Sequence, residues 1–530
     1  MRFWTKSLQI FNAIRASGPQ SVRRLATRIG FSKSSVHRHT QAMERRDRHP
    51  ESWLWETEEG RSWLIRLVVA ALCIFGLKRG VGAETISEFF GRLRLETHIG
   101  CSPSALRGVM DVLEVVILET AAAWEHQGVT AGEMRPIIGA VDETFLERMM
   151  LVFMDLASGY VLVEEVAADR SYDTWYAVVT VRLATLGVGV RYLVSDRAKA
   201  LIKLAETGLE CLSVPDLFHL LHDLTTSSSL AIFRRLRQAQ QALRQAQERL
   251  AACQESHPGG VAVQQARALV EAHAAEVQRW QQGRNAYRSH LENLSLIMHP
   301  WRLVSSVPQT SHEVACQLQD EVTALETLVT THGLPLKKHA LEKVRKQLSG
   351  VAALVDVWWQ EVWHDVQSQV ALTPRWREWM AEGVLPLMYW QAQLSRTRCP
   401  QRKAKLRETL KTVEEAVETH TLTQQLAPEV LAGWKAWAAE HAKAFQRASS
   451  AVEGRNGYLS QMHHNQRGLP KRRYKVWTVL HNFDCCAADG TTPASRFFRR
   501  EFPDLFETVL SRIVDVPRPR QRHQALAISD

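Results

Sequence analysis

Ile137-Ile138-Gly139-Ala140-Val141-Asp142-Glu143-Thr144 is an apolar run that ends in acid, and its reading decides the fold. It is followed by Met149-Met150-Leu151-Val152-Phe153-Met154-Asp155, the turn pair Ser158-Gly159, and Tyr160-Val161-Leu162-Val163-Glu164-Glu165-Val166. Runs rich in Val, Leu, Met and aromatics, broken by turn residues, predict three strands, the last two forming a hairpin. A helix is expected over 172–187, then a fourth strand in Val190-Arg191-Tyr192-Leu193-Val194-Ser195-Asp196-Arg197. This order brings the ends of the first and fourth strands together, so Asp142 and Asp196 are expected side by side. Adjacent carboxylates repel unless a cation lies between them, and hard divalent ions take oxygen ligands.

The order of elements and the placing of these acids resemble the RNase H-like core of DDE transposases and integrases. Met154-Asp155-Leu156-Ala157-Ser158-Gly159-Tyr160 resembles that superfamily's second strand and turn. A third acid, Glu453, lies far downstream in Ser449-Ser450-Ala451-Val452-Glu453-Gly454-Arg455-Asn456-Gly457-Tyr458-Leu459. The resemblance covers about a third of the chain, and its motifs count through their order. It implies an α/β core with a mixed five-stranded sheet, a Glu453 helix packed on that sheet, and an all-helical insertion between the second and third acids. A Tyr-Arg-Glu-Lys helix is absent, since Gln446, Ser449 and Ser460 stand at its relative positions.

The resemblance also implies a chemistry. Asp142 would bridge two Mg²⁺ (or Mn²⁺) ions, while Asp196 and Glu453 each hold one, for phosphoryl transfer at the ends of an insertion sequence. Glu418, Glu429 and Glu440 compete with Glu453 for the third place; the small residues Gly454, Asn456 and Gly457 around Glu453 favour it. Glu143 and Asp155 read as supporting or solvent-facing acids. Asp216-Leu217-Phe218-His219 resembles the C/D-x-x-H motif of hAT- and Mutator-like transposases, which implies that Asp216 and His219 orient DNA or the metal site; a structural role is the alternative.

Composition bounds these expectations. The chain has 530 residues, 45% hydrophobic and 23% charged, ordinary for a globular protein of several domains. Of its net charge of +10, residues 1–50 carry +9, from eleven Lys/Arg against Glu44 and Asp47. So concentrated a basic segment points to a polyanion. Eight cysteines without a C-x-x-C pair argue against a structural zinc site or disulfide framework, and imply a reducing cytosol. The longest apolar stretch, Leu67 to Leu77, is short for a bilayer span, so a cytoplasmic, nucleoid-associated protein without membrane contact is expected.

Within residues 1–50, Ala26, Gly30 and Val36 fall where a helix-turn-helix needs a small contact residue, a turn glycine and an apolar anchor. The second helix would present Lys33, Ser34, Ser35, His37 and Arg38 to a major groove. His39 stands where an aliphatic residue is usual. Residues 51–130 read as a helical linker or second DNA-binding region, including a helix N-capped by Ser102 with Pro103 in its first turn. The first part of the core spans 131–227.

Over 228–300 the heptads Leu236, Leu243, Leu250 and Ala239, Ala246, Cys253 resume, after His257-Pro258-Gly259-Gly260, as Val263, Val270, Val277 and Ala266, Trp280, Tyr287. That is an antiparallel coiled-coil hairpin, an arm for dimer or DNA contacts. Residues 301–445 form a Trp-rich helical insertion domain. The final core helix and a basic segment occupy 446–515, where Arg467, Lys471, Arg472, Arg473 and Lys475 are expected along the DNA path. The tail, 516–530, reads as disordered. The partners expected are double-stranded DNA, as element ends and target, and further copies of the chain in a homodimer or higher assembly on DNA. Two rivals remain: a catalytically silent DNA-binding regulator, and a nuclease that hydrolyses DNA without joining it.

Overall fold

The apolar runs that end in acid do form a sheet. In a computed structural model of the chain, which describes residues 3–18, 20–46, 50–130, 132, 134–256, 259–370, 373–466 and 472–519, the strands are β1 (Arg135–Leu146), β2 (Arg148–Asp155), β3 (Val161–Ala167), β4 (Val188–Ser195) and β5 (Leu212–Pro215). Their spatial order is β3-β2-β1-β4-β5. The two hairpins make β1–β2 and β2–β3 antiparallel, whereas crossovers make β1–β4 and β4–β5 parallel. β1 is therefore central, paired on both edges. Gly139 sits there because a Cβ would meet the Phe153 ring at 2.5 Å and Leu193 at 2.8 Å.

Strand alternation divides the core in two. Ile138, Ala140, Val152, Met154, Tyr192 and Val194 face one apolar cluster, made with the helical insertion. Ile137, Val141, Leu151, Phe153 and Leu193 face the other.

The N-terminal helices α1 (Phe3–Ser17), α2 (Val22–Ile29) and α3 (Lys33–Arg46) enclose a small core of Ile10, Leu25, Ala26, Val36 and Met43. Gly30 caps α2 in the left-handed conformation at φ 70°, the turn the sequence required. His39 is buried and Ser7 satisfies it, Oγ to Nδ1 at 2.7 Å, which is how an imidazole replaces an aliphatic here.

Next come α4 (Glu58–Ala71), α5 (Ala83–Arg92) and α6 (Pro103–Gly128), the last N-capped by Ser102 as expected. They pack onto the sheet's second face, so this region is part of the core more than a linker. α4 continues through a π-helical segment, Leu72–Lys78, into one apolar helix of 21 residues, longer than the sequence run suggested. By length and composition it could cross a membrane; here Leu64, Val68, Leu72 and Leu77 are buried in the protein.

After α7 (Tyr172–Leu186), the β1-to-β4 crossover, and the short α8 (Lys199–Lys203), the arm rises as α9 (Leu217–Ser256) and α10 (Val261–Ile297). The heptad positions form its seam: Leu236, Ala239, Ala246, Val263, Ala266, Trp280 and Tyr287 are buried. The insertion continues as α11 (Ser311–Thr331), α12 (Lys338–Gln369), α13 (Pro374–Glu378), α14 (Leu385–Arg396), α15 (Pro400–Thr419), α16 (Thr421–Gln425) and α17 (Pro428–Ala444). Its tryptophans are core, as helical spacing implied: Trp301 stacks edge-on against Trp358 and Trp359, and Trp379 and Trp390 are fully buried.

The chain returns to the sheet in α18 (Ser450–Gln466) and α19 (Arg473–Asp484), then ends in α20 (Pro493–Phe498) and α21 (Leu505–Arg512). The expected disorder of the tail does not hold at its start. Val516 is buried, and the Pro517 carbonyl accepts from Gly100 N–H at 2.7 Å; residues 520–530 lie outside the described region.

Candidate functional site

Asp142 projects from central β1 toward the insertion side, the parity of Ile138 and Ala140. α18 crosses the sheet there with an inward face of Val452, Arg455, Asn456, Leu459 and Met462, the spacing of an amphipathic helix. Three polar contacts fix its position. Arg455 makes a buried two-point ion pair with Glu164 of β3, at 2.5 and 2.8 Å, and Thr478 of α19 donates to the same carboxylate. Asn456 Nδ2 donates to Asp142 Oδ2 at 2.8 Å. At the helix start, buried Asp216 accepts from Ser449 N–H at 3.0 Å and from the Ser449 hydroxyl. Asp216 thus ties the end of β5 to the first turn of α18.

Glu453 follows one turn after Ser449. His219, in the first turn of α9, brings Nε2 to 3.0 Å from Glu453 Oε1 and 3.6 Å from Asp216 Oδ2. Ligand atoms of Asp142, His219 and Glu453 all lie within 4.8 Å of one another. Burial first, and then the neighbouring Glu453 carboxylate, push the Asp142 carboxyl up to about 7, while His219 pulls the other way. Like charge held this close in a half-buried site is relieved by a cation. Asn456 Oδ1 is buried without a hydrogen-bond partner, one more oxygen beside the carboxylates. The residues fit a divalent ion.

The donor set differs from the expectation in two ways. It is not all oxygen, because His219 enters it; imidazole widens the choice beyond Mg²⁺ toward Mn²⁺ and zinc-like ions. And Asp196 stands outside it. β1 and β4 run in register to Ala140 and Val194, so Asp142 and Asp196 do leave neighbouring strands together. But β4 ends at Ser195, and the chain turns at once through Arg197, whose φ is 62°. Asp196 Oδ1 caps that turn by accepting from Ala198 N–H at 2.8 Å.

The other acids take structural places. Glu143 faces the opposite side of the sheet, accepts from Trp175 Nε1 at 3.3 Å, and is raised chiefly by burial. Asp155 is no solvent-facing acid: it is buried and knits the β2–β3 turn, accepting from Ser158 N–H and Ile138 N–H. Of the competitors, Glu418 and Glu429 are exposed, and Glu440 pairs with Lys443 on α17.

On α3, the helix expected to enter a major groove, Lys33, Ser34, His37 and Arg38 are exposed together. Ser35 is not; it is buried beside Val36, on the face that packs against the other helices, so it leaves the expected contact set. In the C-terminal basic segment Arg467 and Lys471 lie outside the described residues, and Arg472 is exposed. Arg473 is committed to a half-buried ion pair with Glu114 of α6, and Lys475 pairs with Glu165 at 3.0 Å. Arg473 therefore holds α19 to α6 instead of lining a DNA path.

Sequence reasoning missed Asn456, which it counted in a small-residue surface. Gly454 and Gly457 do open to solvent, with nothing near a notional Cβ. Asn456, three positions after Glu453, lies inward by the ordinary i, i+3 rule, and that spacing was the available signal.

Residues 5–47 match the IclR helix-turn-helix domain, and residues 380–525 match a family of unknown function (DUF6399) that includes α18 and Glu453. No curated protein matches the chain. The N-terminus thus carries an IclR-type helix-turn-helix domain, which suggests binding to double-stranded DNA.

Proposed function

We propose that the chain is a DNA transposase of the DDE class, which cleaves strands and transfers 3′-ends at the termini of an insertion sequence. The observation that carries this is the convergence of Asp142, Glu453 and His219 on a central strand, from three distant parts of the sequence. Strand order β3-β2-β1-β4-β5 with β1 and β4 parallel is what an RNase H-like core requires, and a helix-turn-helix supplies the DNA.

In this reading Asp142 and Glu453 would hold one divalent ion, with His219 as third ligand or as a group orienting Glu453. A divalent ion bound there would supply Lewis acidity towards a phosphodiester and towards the water or 3′-hydroxyl that attacks it. Asn456 holds the Asp142 carboxylate in one orientation. Asp216 anchors the start of α18 and so sets the height of Glu453 over the sheet. To help hold a second ion, Asp196 would have to release the hydrogen bond it accepts from Ala198 N–H.

The position of Asp196 also favours a second reading, a regulator that binds DNA through α3 without cutting it. The test is incubation with Mg²⁺ or Mn²⁺ and DNA fragments carrying the element's ends, with Asp142→Ala and Glu453→Ala proteins alongside. Metal-dependent cleavage and joining, lost in both variants, is the expected result. Cleavage without joining would leave a nuclease, and tight end binding without cleavage the regulator.

A further inference from the structure

The arm has a chemistry of its own. Its base packs into the insertion core through Leu220, Ile232, Leu236, Trp280 and Leu294. Toward the tip Ala246, Val263 and Ala266 are buried outside that cluster, so here α9 and α10 shield each other. From Leu224 to Gln247, α9 carries no Asp or Glu but four arginines: Arg234, Arg235, Arg237 and Arg244. All four are exposed. At 3.6 residues per turn, Arg234, Arg237 and Arg244 lie within about 80° of one another, on the side away from the seam.

These cations are not neutralised by the fold. Among the described residues, none of the three has a carboxylate within ion-pair distance, whereas on the neighbouring helix Arg279 pairs with Glu276 at 2.8 Å and Glu292 takes Lys405 at 3.4 Å. Like charges at i and i+3 on one helix oppose its formation. Gln238 and Gln241 stand at i+4 from Arg234 and Arg237; Arg244 has Glu248 at i+4 but makes no ion pair with it among the described residues. A one-sign stripe that the fold leaves unmatched fits an external polyanion.

Its placement identifies which one. α9 begins at the site, with His219 in its first turn. At 1.5 Å per residue, Arg234 stands about 22 Å and Arg244 about 37 Å along the helix from His219. With a rise of about 3.4 Å per base pair, that corresponds to about 7 to 11 base pairs of duplex from the reacting bond.

We infer that the outward face of α9, through Arg234, Arg237 and Arg244, binds the phosphate backbone of duplex DNA running from the Asp142 site along the arm. This rests on the DNA-binding part of the reading above and not on its strand-transfer chemistry. The test uses the full chain and a mixed-sequence duplex long enough to reach the arm, with affinity measured against salt concentration. Three variants accompany wild type: the triple Arg→Gln at 234, 237 and 244, the triple Arg→Lys at the same positions, and Arg38→Ala.

Each phosphate contact contributes about 0.9 to the slope of log affinity against log salt, so the Gln triple should flatten it by about 2.7. Between 50 and 200 mM salt its affinity should therefore fall about 40-fold less than that of wild type. The Lys triple should restore the slope, which separates charge from folding. A Gln triple with the wild-type slope overturns the inference, as does one whose only change is a smaller assembly in solution, which would make the arm a contact between copies. Wild-type protein that binds no duplex overturns both this inference and the DNA-binding reading. Wild-type protein that binds but never cuts overturns only the transposase chemistry.

Discussion

Asp142 and Asp196 close apolar runs on two neighbouring parallel strands, in nearly the same local sequence setting, yet the structure uses them differently. Asp142 lies within a twelve-residue strand paired on both edges and is crossed by α18, which brings Glu453 and Asn456 to it. Asp196 lies one residue past its strand, where a left-handed Arg197 turns the chain and the carboxylate is absorbed in capping that turn. An acid that closes an apolar run is committed by what crosses above it, more than by the strand that carries it.

The sharpest way to break that contrast is ion binding without DNA. Calorimetric Mn²⁺ titration of the Asp142→Ala protein should show affinity lowered by more than the 10–100-fold typical of losing a supporting group. The Asp196→Ala protein should bind its first ion as wild type does. Equal losses in the two variants would erase the distinction.

What crosses Asp142 can be loosened next. Arg455→Met leaves the Glu164 carboxylate buried and unpaired, which should cost about 3–5 kcal/mol in urea unfolding. An unchanged midpoint would mean that α18 is held by its apolar face alone. Asn456→Ala should keep the fold but weaken Mn²⁺ by about 10–100-fold; wild-type affinity in this variant would reduce Asn456 to a bystander.

A pH series sharpens the electrostatic side. The Asp142 carboxyl, ordinarily near 3.8, is raised to about 7 by burial and by Glu453. The folded state therefore holds this proton more tightly than the unfolded chain does. Its contribution to stability is complete below about pH 4 and is lost as pH rises through about 7. In metal-free buffer, Asp142→Asn should remove that decline, and Mn²⁺ should stabilise wild type more at pH 8 than at pH 5. Melting curves that fall equally in both proteins would contradict the shift.

The smallest effect concerns α3. Arg38→Ala should weaken DNA binding by about 1 kcal/mol or more, whereas Ser35→Ala, on the buried side, should leave it unchanged. A DNA-binding loss in Ser35→Ala with intact folding would put that residue back in the groove.

The strands were legible because each is a short apolar run closed by turn residues, and the arm because its seam repeats every seven positions. Local spacing also found the Ser102 cap and the Gly30 turn. The site was only half legible. Asp142 announced itself at the end of an apolar run, but its partner Asn456 is 314 positions away, and no local pattern encodes which face of α18 meets which strand. The same holds for Arg473, which reads as part of a basic loop and is consumed by Glu114, 359 positions earlier. Asp196 failed for the opposite reason, since the end of β4 and the backbone turn after it, one residue in length, escape periodicity.

The Asp216–Ser449 clamp has a consequence in time. Its halves are 233 residues apart. At 5–20 residues per second, a ribosome delivers the second half on the order of ten to fifty seconds after the first. Throughout that interval the nascent chain has its helix-turn-helix domain and no Glu453. On the proposed function, DNA can be held before it can be attacked, so synthesis itself would order recognition ahead of chemistry.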